Sequence, residues 1–222
     1  MFRVKICGVT NPGDALAAVE AGADTIGLNF YPRSKRFVAD DVATDIVKGL
    51  PADVLKIGVF VNSPADEMLQ TARRVGLTAI QLHGDEPATM LAELEGFPVV
   101  RARRIGASGL AAIASDAAAC KQAGRAADAV LVDAPAPGEY GGAGETFDWN
   151  SVVGHEAVLG GLPLILAGGL TPANVAAAIG TVRPAGVDVA SGVESAPGKK
   201  DTALMAAFVK NARSAFDSYA SD

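Results

Sequence analysis

Histidine and cysteine are scarce in this chain: His83 and His155, Cys7 and Cys120 are the whole supply in 222 residues. Two cysteines make no disulfide framework. Cys120 lies in an alanine-rich stretch where packing is its simplest role, so a reducing, cytoplasmic setting is expected. Two histidines rule out a histidine-rich catalytic metal site, and no other cluster has metal-ligand spacing. No apolar run reaches the roughly 18 residues that a membrane span needs. Arg3 and Lys5 interrupt the N-terminal segment at once, so no secretory leader is expected. Positive charge is short as well. The 19 Lys and Arg against 25 Asp and Glu leave a net charge of −6, which argues against a general nucleic-acid surface. The one basic cluster, Arg101-Ala102-Arg103-Arg104, reads as a solvated loop. A P-loop and an early Gly-x-Gly-x-x-Gly fingerprint are also missing.

What is present is a repeated pattern. Half of the residues are hydrophobic and 20% are charged, a composition that supports a compact core. Short β-branched runs alternate with alanine-rich amphipathic stretches. The runs are Val4–Cys7, Thr25–Phe30, Leu55–Val61, Ala79–His83, Val99–Ala102, Ala129–Asp133, Leu164–Ala167 and Val187–Ala190. Asn11-Pro12, Ser63-Pro64 and Thr171-Pro172 each set a capping side chain before a proline suited to the first helical position. Gly22, Gly76 and Gly124 stand where the helices should stop. Eight strand–helix units without a linker predict a single-domain (β/α)8 TIM barrel, of the α/β class, over residues 1–222. A doubly wound open sheet is the alternative.

Strands covered by helices on both faces should be almost wholly apolar. Here alternation puts Lys5 with Cys7, Gln81 with His83, and Leu131 with Asp133 on common faces, opposite an apolar set. In a barrel the apolar set meets the helices, and the polar set points inward. Cys7, His83 and Asp133 then gather at the C-terminal rim, where barrel active sites lie. A buried cysteine is usually only a small hydrophobe, but Cys7 sits at a strand end, alternates with a lysine and precedes Gly8. Lys5 and Asp188, inward on neighbouring strands, are expected to form an ion pair.

Two glycine-rich turns follow the last two strands: Ala167-Gly168-Gly169, and Ala190-Ser191-Gly192-Val193-Glu194. Such turns let backbone N–H groups approach a phosphate, and the loops after strands seven and eight are the usual phosphate site in barrels. Ordinary turn chemistry is the bland reading. Asp133 is either a turn or cap aspartate or a proton donor under the glycine-rich segment Glu139–Gly144, which reads as a lid. Arg33, Lys35 and Arg36 form either a solvated loop or a carboxylate grip at the same rim. His83 is a candidate general base or a structural hydrogen-bonding group. These features suit cofactor-free chemistry on a small phosphorylated molecule.

The motifs match one family in order. Lys5-Ile6-Cys7-Gly8-Val9-Thr10, Asn29-Phe30-Tyr31-Pro32 with Ser34-Lys35-Arg36, and Gly58-Val59-Phe60-Val61-Asn62 resemble those of phosphoribosylanthranilate isomerases. Gln81-Leu82-His83-Gly84, Tyr140-Gly141-Gly142 with Thr146-Phe147-Asp148-Trp149, and Asp188–Gly192 with Pro197–Asp201 continue the resemblance, which runs from residue 1 to about 213. It implies a metal-free, cofactor-free barrel of tryptophan biosynthesis carrying out an Amadori rearrangement, as a monomer or homodimer. It further implies Asp133 as general acid, Cys7 as general base and Arg36 as the carboxylate ligand. The phosphate would be held by backbone near Gly168, Gly169, Ser191 and Gly192, with Lys5 favouring the thiolate and His83 in support. Glu145 departs from the lysine frequent in the family, and the charges of Arg101, Arg103 and Arg104 are unusual. A non-catalytic phosphosugar-binding barrel, or another phosphate-binding barrel enzyme such as a pentose-phosphate epimerase, is the competing reading.

Overall fold

The computed structural model describes residues 2–106, 108–134 and 147–219. The expected lid, with Glu139, Tyr140 and Glu145, lies outside the described residues. Eight parallel strands close on themselves in chain order: β1 (Val4–Cys7), β2 (Thr25–Asn29), β3 (Leu55–Phe60), β4 (Ala79–Leu82), β5 (Val99–Arg104), β6 (Ala129–Asp133), β7 (Leu164–Leu166) and β8 (Gly186–Val189). All eight expected strands are there, their ends within two residues of expectation. β1 pairs with β2 on one side and with β8 on the other, so the barrel has no free edge and the open-sheet alternative is excluded.

Around the barrel run α1 (Pro12–Glu20), α2 (Asp40–Lys48), α3 (Ala65–Val75), α4 (Met90–Glu93), α5 (Gly109–Gln122), α6 (His155–Val158), α7 (Val175–Val182) and α8 (Thr202–Tyr219). Asn11 caps α1 by accepting the Asp14 N–H, and Gly76 ends α3 at φ +83°, as the sequence suggested. The other two expected caps fail. Pro64 itself occupies the cap position of α3, and no side chain caps that helix. Thr171 caps nothing, because α7 begins only at Val175. Asn174 instead accepts the Thr171 N–H and donates to the Gly169 carbonyl, bracing the turn after β7.

The parity of the strands sorts the core into two layers. Val4, Ile6, Ile80, Leu82, Val130 and Val132 are buried against the helices. Phe2, Ile57, Val100, Leu131 and Ile165 fill the barrel itself. Each such side chain contributes about 1.5–3 kcal/mol by leaving water. Lys5 is the exception among them, fully buried inside the barrel. Its ammonium meets Asp188 Oδ1 at 2.8 Å, and the two residues are register partners on β1 and β8. The pair expected from sequence therefore forms across the seam that closes the barrel.

The basic run is not a solvated loop. β5 extends to Arg104, and Arg101 is buried. Asp116 of α5 takes two hydrogen bonds from Arg101 and one from Arg103, at 2.7–3.0 Å. Burial opposes the charge of Asp116, but the bonds from Arg101 and Arg103 outweigh it and hold the carboxyl below its usual range. Outward-facing arginines at the end of a strand meet a carboxylate one helix away, which a sequence window around the strand does not contain.

Removing one partner of a buried ion pair leaves an uncompensated charge and costs about 3–5 kcal/mol. Lys5→Met is expected to lose that much in denaturant unfolding. Lys5→Met/Asp188→Leu, which removes both charges, is expected to recover most of the loss. A double variant as unstable as the single one would show that the pair does not carry this cost.

Candidate functional site

Cys7 ends β1 with Lys5 two residues below it on the same face. Gly27, its register partner on β2, makes room for both: a Cβ built there would lie 2.8 Å from the Cys7 Sγ and 3.0 Å from the Lys5 Cε. Gly8 follows at φ +70°, and the stem of Arg36 crosses directly over it. These two glycines put a thiol, an ammonium and a guanidinium within one small volume. Sequence alone had no means of assigning them that role.

Cys7, Arg36, His83, Asp133, Gly168, Gly169 and Ser191 line one cavity at the C-terminal rim. Lys5 lies beneath it. Gly192 is not part of the lining, and packs against the Leu170 carbonyl so closely that no Cβ fits. Asn29, Ser34 and Asp188 also line the cavity.

The electrostatics of the thiol differ from the expectation. Burial raises the Cys7 pKa above the ordinary thiol value, and the Asp188 carboxylate pushes it the same way. Lys5 opposes both and is outweighed. The reason lies in the pair below. Burial disfavours the Lys5 charge, but Asp188 and then Cys7 overcome that, so Lys5 stays a firm cation whose field is largely spent on Asp188.

Asp133 is buried at the end of β6. Its Oδ1 accepts the Ala134 N–H at 2.8 Å, and its Oδ2 lies 3.4 Å from His83 Nε2. The other ring nitrogen of His83 is 3.0 Å from the Gln81 amide nitrogen. Gln81, His83 and Asp133 thus form a file of polar groups across the top of the barrel, spanning β4 to β6.

Arg36 is held in a fork. Its Nε and Nη2 each donate to Glu194 at 2.7 Å. Lys200 donates to Glu194 Oε1 at 2.9 Å and to the Ala190 carbonyl at 3.0 Å. Glu194 and Lys200 belong to a hairpin, β9 (Glu194–Ala196) with β10 (Lys199–Lys200), that the sequence reading did not anticipate. Burial works against the Glu194 charge, but the hydrogen bond from Arg36 and the charge of Lys200 outweigh it and keep the carboxyl below its usual range. After β7, Gly168 and Gly169 both hold positive φ, at +83° and +62°, and a Cβ on Gly168 would strike Ala134. This backbone conformation exposes consecutive peptide groups that a side chain would cover.

An eight-stranded barrel with a thiol, a carboxyl, an imidazole and a guanidinium around one cavity at this rim has the architecture of the (β/α)8 barrel enzymes. The family model described as N-(5'phosphoribosyl)anthranilate (PRA) isomerase matches residues 4–211, and the chain belongs to that family. The N-(5'-phosphoribosyl)anthranilate isomerase of Myxococcus xanthus is 46% identical over 213 residues, covering 96% of each chain. The crystal structure of the Thermotoga maritima phosphoribosyl anthranilate isomerase superposes with a TM-score of 0.85 at 39% identity, covering 96% of this chain and all of that one. A second crystal structure, of a phosphoribosyl anthranilate isomerase complexed with reduced 1-(o-carboxyphenylamino)-1-deoxyribulose 5-phosphate, superposes at 0.81 with the same identity and coverage.

A carboxyl whose folded pKa is depressed stabilises the fold above its unfolded pKa, near 4.3 for glutamate, and that contribution is lost as the pH falls through the folded value. Glu194→Gln is therefore expected to lower the denaturant midpoint at neutral pH. The gap from the unmodified protein should close as both are acidified to roughly pH 3. An equal gap at both pH values would mean that the charge of Glu194 does not matter to the hairpin.

Proposed function

We propose that this protein converts N-(5-phosphoribosyl)anthranilate into 1-(2-carboxyphenylamino)-1-deoxyribulose 5-phosphate by an Amadori rearrangement, the tryptophan-pathway step of its family. The observation that carries the reading is the convergence of Cys7, Asp133, Arg36 and the two glycine turns on one cavity. Asp133 is the general acid. Its carboxyl proton passes to the ribose ring oxygen as the bond from that oxygen to C1 breaks, leaving an iminium. Cys7 is the general base. A carbon acid beside an iminium is strongly acidified, so a thiolate suffices to take the C2 proton, and the resulting enolamine tautomerises to the ketone.

Backbone at Gly168, Gly169 and Ser191 holds the phosphate, with Gly192 allowing the second turn to approach Leu170. Arg36 meets the anthranilate carboxylate from the rim of the cavity, where its fork to Glu194 holds the guanidinium in place. Gripping both ends of the substrate fixes the ribose between acid and base. Lys5 acts from below, through its pair with Asp188, by setting the field at Cys7.

With substrate generated in situ and the loss of anthranilate-type fluorescence followed, Cys7→Ser and Asp133→Asn are each expected to lower kcat by at least about 10²-fold with little change in KM. Full activity in either removes that residue from its role. Arg36→Ala is expected to raise KM chiefly, and an unchanged KM sinks the carboxylate assignment.

The raised pKa of Cys7 supplies a separate test that does not depend on turnover. Alkylation needs the thiolate, so below the pKa its rate falls about tenfold per pH unit. Alkylation of Cys7 by iodoacetamide in the free protein should therefore still be climbing with pH past the ordinary thiol value near 8.5. A rate that levels off below that value would contradict a raised thiol.

A further inference from the structure

Asp188 carries two oxygens, and the fold uses one of them. Oδ1 takes the Lys5 ammonium at 2.8 Å. Among the described residues no hydrogen-bond donor reaches Oδ2, and that atom is not sealed from solvent. Asp188 lines the rim cavity, so this oxygen opens into it. Lys5 is fully buried, and its hold on Oδ1 fixes the direction in which Oδ2 points.

Other acceptors around the cavity already have partners. Asn29 Oδ1 accepts the Tyr31 N–H, and Ser34 Oγ accepts the Arg36 N–H. Asp133 Oδ1 accepts the Ala134 N–H, and its Oδ2 is turned to His83. Oδ2 of Asp188 is the carboxylate oxygen left for a ligand hydroxyl, and a hydrogen bond of that kind is charge-assisted and roughly twice as strong as a neutral one. Its place matters as much as its charge. Asp188 on β8 is the register partner of Lys5 on β1, and Cys7 is the next inward-facing residue above Lys5. Thiol and carboxylate therefore meet a ligand side by side, from adjacent strands.

We propose that Asp188 binds substrate, its Oδ2 accepting the hydroxyl on C2 and so aiming the C2 hydrogen at Cys7. The inference rests on the isomerase reading above, and it asks for a hydrogen bond only, with no proton passed to Asp188. C2 is the carbon that gives its proton to Cys7, and its hydroxyl oxygen becomes the ketone oxygen. Arg36 and the glycine turns hold the two ends of the molecule but leave rotation about the bonds at C2. A third contact at the hydroxyl removes that rotation. With C1, C3 and the oxygen placed, the hydrogen on a tetrahedral carbon has one direction left. The configuration at C2 then determines specificity. A ribo centre turns its hydroxyl to β8 and its hydrogen to β1, and the arabino epimer exchanges the two.

The experiment deletes the contact from the ligand side. Reductive amination of ribose, 2-deoxyribose and arabinose 5-phosphates with anthranilate gives inert probes that differ only at C2, and fluorescence titration gives their Kd values. The unmodified protein is expected to bind the ribitol probe about 10- to 100-fold more tightly than the other two, the range of a hydrogen bond to a charged group. Lys5→Met/Asp188→Leu, which leaves neither charge uncompensated, is expected to bind all three alike. A carboxylate serving only as counter-ion to Lys5 would not produce that pattern. Equal binding of the ribitol and deoxy probes by the unmodified protein overturns the proposal, and no variant has to fold for that result. A double variant that still prefers the ribitol probe overturns it as well. A ribitol probe that fails to bind the unmodified protein overturns the isomerase reading and this inference with it.

Discussion

The buried pair Lys5–Asp188 is the interaction on which the arrangement turns. It joins β1 to β8, the seam where the first strand meets the last, with Asp188 lining the rim cavity and Lys5 beneath it. A lysine fully removed from water inside a hydrophobic barrel survives only beside a carboxylate. The register that brings the two together is therefore fixed with the charge pairing. A slip of one residue at this seam would turn Lys5 and Cys7 out toward the helices together.

The same pair sets the chemistry above it. An unpaired lysine two residues below a thiol would make a ready thiolate. Here burial comes first in raising the thiol pKa, and the carboxylate absorbs much of the lysine field and adds its own repulsion, so the thiol is a reluctant acid. Such a group is a strong base once ionised, which suits removal of a carbon-bound proton better than it suits nucleophilic attack. Reactivity toward adventitious oxidants is held down by the same effect, because oxidation follows thiolate character. In the proposed mechanism, an iminium next to the thiol shifts the balance back toward the thiolate only while substrate is present.

How much of this was legible in the chain depends on the range of the interaction. Period-two alternation is a local signal, and it is enough to place Lys5, Cys7, His83 and Asp133 inward and to pair Lys5 with Asp188. The glycine turns after β7 and β8 were equally plain. The arginines on β5 were misread because their carboxylate, Asp116, lies on the following helix, and hydropathy alone assigns such a run to solvent. Thr171 looked like a helix cap because its dipeptide has the right chemistry, but α7 starts only at Val175, and Asn174 accepts the Thr171 N–H to brace the glycine turn instead. Glu194 and Lys200 were missed for a different reason. Nothing in a short acidic or basic hairpin shows that it folds over a loop some 160 residues earlier.

That long-range contact brings both ends of the chain together at the rim of the cavity. The hairpin touches β1's loop through Thr10, whose hydroxyl donates to the Gly198 carbonyl, and β2's loop through Arg36. A guanidinium on a solvated loop would sample many rotamers and lose about 2 kcal/mol of freedom on gripping a carboxylate. Fixed by Glu194, it has already lost that freedom during folding. Lys200 ties the hairpin to the turn after β8, since its ammonium donates both to Glu194 and to the Ala190 carbonyl. The second positive charge also keeps the cluster cationic after Glu194 has neutralised one of its two partners. In the proposed grip, charge complementarity and rigidity of the arginine thus come from the same three side chains.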